Sequence, residues 1–334
     1  MSRSGKFWIA MVGATLAALL LALSVGSASI ALPDIVRLLV QPDASVSSDV
    51  LHGLRLPRAL AALATGGLLA VAGALMQVLL RNPLADPYVL GTSGGAAFGA
   101  LLAFALGLGA LAVQLGAFAG ALAAIVLVFA LARSDLSDHS FAGSAAETAP
   151  RLLLTGVMLA ALCAALIALL LLLAPDARLR GMLFWLSGDL SAVASPLAPL
   201  ATLAILMLAA WPLARELNVL LRGPALALTL GVEVVSLRRK IYVLASLATA
   251  VAVTTAGGIG FIGLVVPHAL RLLVGNDQRT LLPACALAGG TLLLLADTAA
   301  RSVVAPTQVP VGVVTALFGA PVFIALLLRH GAVR

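Results

Sequence analysis

Few residues in this chain of 334 could do chemistry: four histidines, two cysteines and 13 acidic side chains. His52, His139, His268 and His330 lie in different loops or segment ends, so no metal-ligand spacing joins them. Cys163 and Cys285 sit inside apolar stretches and read as small buried residues rather than ligands or disulfide partners. No G-x-x-x-x-G-K-[ST] loop occurs, so the chain cannot hold ATP through a P-loop, and no H-E-x-x-H or G-x-S-x-G pattern supplies a hydrolytic centre. The acids fall in loops or at the ends of apolar segments, with Asp297 the nearest to a segment interior. Acids buried within spans mark ion-coupled transport, and their scarcity here argues against it. Three arginines, Arg55, Arg58 and Arg301, stand beside apolar segments; on spacing alone they read as snorkelling cations at an interface.

The elements around these residues are those of a membrane protein. Hydrophobic residues make up 62% of the chain, charged residues only 10%, and the mean hydropathy is +1.16. A soluble chain of this length needs more charge to cover its surface. The net charge of +7 is spread between apolar blocks without interleaved aromatics, which excludes a nucleic-acid surface. Ten segments are predicted to span: 7–29, 57–80, 92–107, 111–132, 152–174, 196–214, 241–257, 259–274, 281–297 and 310–328. The first follows Arg3 and Lys6 and reads as a retained span rather than a cleaved signal. Placing both termini in the cytoplasm leaves only Arg37, Arg55, Arg58, Arg178, Arg180 and Arg301 outside, with the other basic residues inside. Glycines interrupt the eighth segment, as in broken helices that line cavities. Gly116 and Gly120 have small-xxx-small spacing, which a chain so rich in Ala and Gly also produces by chance.

Three loops stand out. Segment 30–56 is predicted to carry a short surface helix, and 133–150 to be a polar connector. Segment 215–240, broken at Gly223–Pro224 and Gly231, is predicted to form two short helices joined by a turn. It reads either as a docking element or as an interfacial helix lying on lipid.

A series of motifs runs from Arg55 to Phe323. It begins with Arg55–Leu56–Pro57–Arg58, continues through Gly66–Gly73 and Gln77, and reaches Arg81–Asn82–Pro83–Leu84–Ala85–Asp86–Pro87 with Leu90–Gly91. Then come Trp185–Leu186–Ser187–Gly188, Gly258–Ile259–Gly260–Phe261–Ile262–Gly263 leading to Pro267–His268, Ala296–Asp297–Thr298 with Arg301, and Pro310–Val311–Gly312 with Thr315, Gly319 and Pro321. In this order they resemble the FecCD-like permeases, the membrane subunits of type II ABC importers for cobalamin, haem and ferric siderophores. The resemblance implies an all-α fold of about ten transmembrane helices in a single domain, 1–334, with an inverted repeat of spans 2–5 and 7–10. It implies that Arg55, Arg58 and Arg301 dock a periplasmic or extracellular substrate-binding protein. It places a cytoplasmic gate at Asn82 and Leu84, and contacts to an ATPase in the coupling segment 215–240, with Gly223, Ala225, Leu228, Thr229 and Gly231.

The expected assembly is a homodimer in the bacterial inner membrane, with its pathway along the subunit interface and two cytoplasmic ABC ATPases. ATP is hydrolysed by those partners, and the chain itself holds no metal or cofactor. The cargo is expected to be a metal chelate, with haem or another iron complex ahead of cobalamin. His268 reads as structural rather than a haem ligand, since tight ligation would trap cargo. The rival readings are an ion-coupled secondary transporter and a membrane enzyme.

Overall fold

Alanine and glycine decide how closely these helices pack. The computed structural model describes residues 3–26, 30–131, 150–193, 195–304 and 307–331, and among them there is no strand. Helix α1 is Arg3–Ser24, α2 Leu32–Val40 and α3 Val46–Val50; α4 is Leu56–Leu79. Leu51–Arg55 forms a π turn that joins α3 to α4 without a gap, the Leu56 N–H donating to the Leu51 carbonyl. The wider turn directly precedes Pro57, whose ring removes a donor and crowds the preceding turn. The second span is therefore longer than predicted, running from Val46 to Leu79, and its most apolar stretch is almost wholly buried. It is the central post of the fold.

Around it stand α5 (Thr92–Ala105), α6 (Ala110–Leu131), α7 (Pro150–Leu173), α8 (Asp176–Leu186), α9 (Leu197–Ala210), α10 (Ala214–Leu220), α11 (Pro224–Thr229), α12 (Val234–Ala256), α13 (Ile262–Val274), α14 (Gln278–Ser302) and α15 (Val311–Gly331). The ten predicted spans correspond in order to α1, the α3–α4 run, α5, α6, α7, α9, α12, α13, α14 and α15. Five of these are long and apolar enough to cross a membrane unaided, and α9 with α10 makes a sixth bent by 65°. Helices α5, α13 and α15 are shorter apolar pieces. Short helices are tolerated in lipid when the backbone between them is buried in protein.

Two further boundaries differ from the prediction, and one helix is additional to it. Helix α12 begins at Val234, so Arg238, Arg239 and Lys240 lie on its second turn and not in the loop before it. Helix α14 runs on to Ser302, so Asp297 is inside the helix. Helix α8 was not expected, because Asp176, Arg178 and Arg180 break the apolar pattern that a span requires. The polar connector 133–150 lies, except for Pro150, outside the described residues.

The small residues act as a zip. A Cβ on Gly99 would run into the carbonyl oxygen of Gly116, and one on Gly95 into that of Gly120, so the Gly116–Gly120 spacing is a packing device against α5. Cys163 and Cys285 are buried free thiols.

Candidate functional site

At one end of the bundle, hereafter the Asp297 end, helices α1, α4 and α14 are tied by charge. The Arg58 guanidinium grips both carboxylate oxygens of Asp297: Nε lies 3.1 Å from Oδ1 and 3.0 Å from Oδ2, and Nη2 lies 2.9 Å from Oδ1. Its Nη1 donates to Gln308 Oε1 at 3.1 Å. Arg301, one helical turn beyond Asp297, places its Nε 3.9 Å from the same carboxylate and donates through Nη2 to the carbonyl of Ala22. Arg55 donates through Nη1 to the carbonyls of Leu23 (2.7 Å) and Ser24 (3.1 Å), the last carbonyls of α1. A cation there satisfies orphan acceptors and meets the negative end of the helix dipole. The structure thus brings Arg55, Arg58 and Arg301 together. They face inward: Arg55 is 5% exposed, and Asp297, the carboxylate that binds two of them, is 1% exposed. One carboxylate against three guanidiniums leaves the cluster net positive.

At the opposite end, hereafter the Lys240 end, α4 stops in a Schellman motif. The Arg81 N–H donates to Val78 and the Asn82 N–H to Gln77. The left-handed residue is Arg81 (φ +48°), where glycine is usual. Asn82 Oδ1 then accepts from the Leu84 N–H at 2.9 Å, and both Asn82 and Leu84 project from the bundle. The chain turns back at once. Asp86 caps the single turn Pro87–Leu90, and Tyr88 reaches the connection between α12 and α13. The Tyr88 hydroxyl donates to the Ile259 carbonyl (2.9 Å) and accepts from the Ile259 N–H (3.1 Å). Connections 80–91 and 257–261 follow the second and seventh spans, which the inverted repeat would make equivalent, and here they meet.

Motifs far apart in sequence interlock at that point. A Cβ on Gly257 would strike the Trp185 carbonyl, one on Gly188 would sit 2.8 Å from the Gly258 oxygen, and one on Gly312 would strike the Ser187 carbonyl. Two backbone bonds lock the joint, from the Asp189 N–H to Ala256 (2.8 Å) and from the Val311 N–H to Gly188 (3.0 Å). Phe261 takes φ +71° at the start of α13. Beside it lies an apolar cavity of about 240 Å³ lined by residues that include Phe261, Val265, Ala296, Thr315, Phe318 and Val322. His268 packs edge-on against Phe323, with ring centroids 6.0 Å apart. Among the described residues, no three His, Cys, Asp or Glu side chains gather into a metal-ligand set.

The segment 215–240 forms two short helices, α10 and α11, as predicted. They are joined through Gly223 (φ +124°), and Gly231 (φ +80°) follows the second. Ala225, Leu228, Thr229 and Gly231 are exposed, whereas Ala227 and Pro224 are buried beneath them. A Cβ on Gly223 or Gly231 would meet nothing within 4 Å, so within one chain these glycines serve backbone conformation and not packing. Asn218 fastens α10 to the α13–α14 turn, donating to Asp277 Oδ1 (2.6 Å) and accepting from the Gln278 N–H (2.9 Å).

A model of the FecCD transport family matches residues 14–329. The chain belongs to the FecCD transport family. Similar proteins include the vitamin B12 import system permease protein BtuC of Escherichia coli, 42% identical over 283 residues and 83% of each chain. The cobalamin import system permease protein BtuC of Halobacterium salinarum is 43% identical over 286 residues, 84% of this chain and 73% of that one. A solved metal-chelate type ABC transporter in an inward-facing conformation superposes with a TM-score of 0.84 at 29% identity, covering 97% of this chain and 99% of that one. PsaBC from Streptococcus pneumoniae, solved with a Fab, shares the fold at 19% identity and a TM-score of 0.55, over 89% of this chain and 95% of that one. The chain is thus a membrane permease subunit of an ABC importer for metal chelates, with the type II importer fold.

Within this FecCD permease, sequence reasoning missed three features. Asp297 partners the arginines, a relation hinted at by its i,i+4 spacing to Arg301. Gln308 completes the Arg58 cradle. Tyr88 bridges two connections 171 residues apart, for which no local signal exists.

Proposed function

We propose that this permease carries cobalamin, as the homodimeric membrane core of a bacterial inner-membrane importer. The observation that carries this reading is the 42–43% identity, over more than four-fifths of the chain, to two cobalamin permeases from a bacterium and an archaeon. The expected lean toward haem has no counterpart among these relatives. His268, packed on Phe323, does not favour it either. The test is uptake of labelled cobalamin, haem and a ferric siderophore into proteoliposomes holding the permease with its ATPase and binding protein. Cobalamin is expected to accumulate; uptake of haem alone would overturn the reading.

In this proposal the Lys240 end faces the cytoplasm, as does the N-terminus, and segment 215–240 of the single permease domain couples to two ATPases. Exposed Ala225, Leu228 and Thr229 suit that contact, since their neighbours Pro224 and Ala227 anchor α11 from below. Asn82 and Leu84 form the cytoplasmic gate, on a turn hinged at Arg81 and tethered through Tyr88. Uncovered apolar faces of α7 (Leu154, Met158, Leu162) and α15 (Leu317, Phe318) suit a second copy of the chain.

The Asp297 end faces outward and docks the binding protein. Its net positive charge supports that role through the long-range field, which sets registry and on-rate. The three arginines are held inside the chain, so the partner's acids meet the field and the exposed edges of Arg58 and Arg301. Asp297→Asn should leave docking intact or tighten it, and docking should weaken as salt rises. Docking that is indifferent to salt would restrict the arginines to a structural role.

A further inference from the structure

At the Lys240 end, a groove of about 530 Å³ opens between the ends of α6, α9 and α12. Its floor and walls are apolar: Phe129, Ala209, Leu213, Val243 and Leu244. Its rim is cationic, formed by Arg239 and Lys240, which are both exposed. Neither rim side chain takes part in an ion pair or hydrogen bond among the described residues. The adjoining recess adds one acid, Glu233, one carboxylate beside two cations. The groove lies at membrane-surface level, because Trp211 follows directly on α9, half-exposed, with its indole N–H donated to the Arg279 carbonyl. Such aromatic residues settle at the headgroup layer.

We propose that this groove binds an anionic phospholipid, its phosphate on Arg239 and Lys240 and one acyl chain along Phe129, Ala209 and Val243. The chemistry decides the occupant. A soluble anion would use the rim and leave the apolar trough exposed. A neutral lipid would fill the trough and leave two cations unanswered. A phosphodiester carrying a net negative charge and a hydrocarbon tail satisfies both halves, and the planar Arg239 guanidinium can take two phosphate oxygens at once. Basic recesses between spans at a charged membrane face are natural headgroup sites. An acidic protein surface is the competing occupant of the rim, but it has no use for an apolar trough walled by three spans.

The full-length permease, purified in detergent, is exchanged into mixed micelles of phosphatidylglycerol and phosphatidylcholine with identical acyl chains, and the retained lipid is quantified. We expect phosphatidylglycerol to be retained about thirtyfold over phosphatidylcholine, the scale of two basic side chains at an anionic surface. Arg239→Gln with Lys240→Gln should abolish that preference, while Arg239→Lys keeps most of it. Ala209→Phe fills the trough, keeps both cations, and should lose retention altogether. Val243→Phe does so from the opposite wall, so misfolding of one filler leaves the other to decide. Excess inorganic phosphate should not displace the lipid. A phosphatidylglycerol preference in the double variant as large as in wild type, unchanged retention in both fillers, or displacement by phosphate alone would each overturn the proposal. So would a loss of ATPase co-purification in the double variant while lipid retention stays as in wild type.

Discussion

Two basic clusters, one at each end of the bundle, use arginine in opposite ways. At the Asp297 end, three guanidiniums are turned inward, onto a carboxylate and onto the last carbonyls of α1. At the Lys240 end, Arg215, Arg222, Arg239 and Lys240 stand exposed, and the turns at Gly223 and Gly231 have open space around them. One cluster is closed on itself; the other presents unfilled surface around the buried Arg238. A count of cations cannot tell these apart, because the distinction lies in what else is within reach of each side chain. The clasp ties α1, α4 and α14 to one another, and in the proposed importer the gating motion falls to the turns at the opposite end.

The comparison breaks most readily at Arg58. Arg58→Met would strand the buried Asp297 carboxylate beside the weaker Arg301 contact. Losing one partner of a buried pair costs about 3–5 kcal/mol. We expect a large fall in unfolding temperature of the detergent-solubilised permease, with Arg58→Met/Asp297→Leu recovering most of it. Arg222→Gln at the open end should change stability by no more than about 0.5 kcal/mol. Similar losses at the two ends would refute the distinction.

At the open end the effect should appear only when a partner is present. Ala225 is exposed on α11, so Ala225→Trp should leave the isolated permease as stable as wild type. In the assembled importer the indole would overpack the ATPase contact, at a cost of about 1–3 kcal/mol. Reduced ATPase co-purification and a sharp fall in ATP-driven uptake are the expected readouts. Full uptake would remove this surface from coupling. Tyr88→Phe tests the joint between the two ends by leaving the Ile259 N–H and carbonyl without their partner. Unsatisfied buried backbone groups cost about 1–3 kcal/mol, and here the loss should show in the isolated chain.

What could be read in advance follows a physical line. The spans were legible because lipid demands long apolar runs, and even the short segments 92–107 and 259–274 proved short in the structure. Segment 215–240 was legible from Gly223–Pro224 and Gly231, since turn chemistry is local. Helix α8 was not, because its charges mimic a loop. The clasp was half legible: the three arginines stood out, but Asp297 was placed at a segment end because α14 continues five residues past it. The meeting of Trp185–Gly188, Gly257–Gly258 and Gly312 was visible only as separate motifs, since glycine spacing records close approach without naming what approaches.

The smallest effect sharpens the comparison at the open end itself. Asp277 caps α14, and its carboxyl is held below its ordinary value of 3.8, first by the side-chain bond from Asn218 and then by the Arg279 N–H. A depressed carboxyl contributes stability that is complete above the ordinary value and is lost as pH falls through the lower, folded one. The fastening of α10 to the α13–α14 turn should therefore be unaffected at neutral pH and loosen only below about pH 4. Asp277 is exposed, so solvent screening keeps the loss to a few tenths of a kcal/mol. Asn218→Ala should remove most of this acid dependence, because the leading cause of the shift goes with it. The measurement is amide hydrogen exchange across residues 214–220 between pH 3 and 5, corrected for the intrinsic rate. Protection that falls with acid equally in wild type and Asn218→Ala would mean that α10 is held by packing of Leu217 and Leu220 alone, and that the open end has no polar fastening of its own.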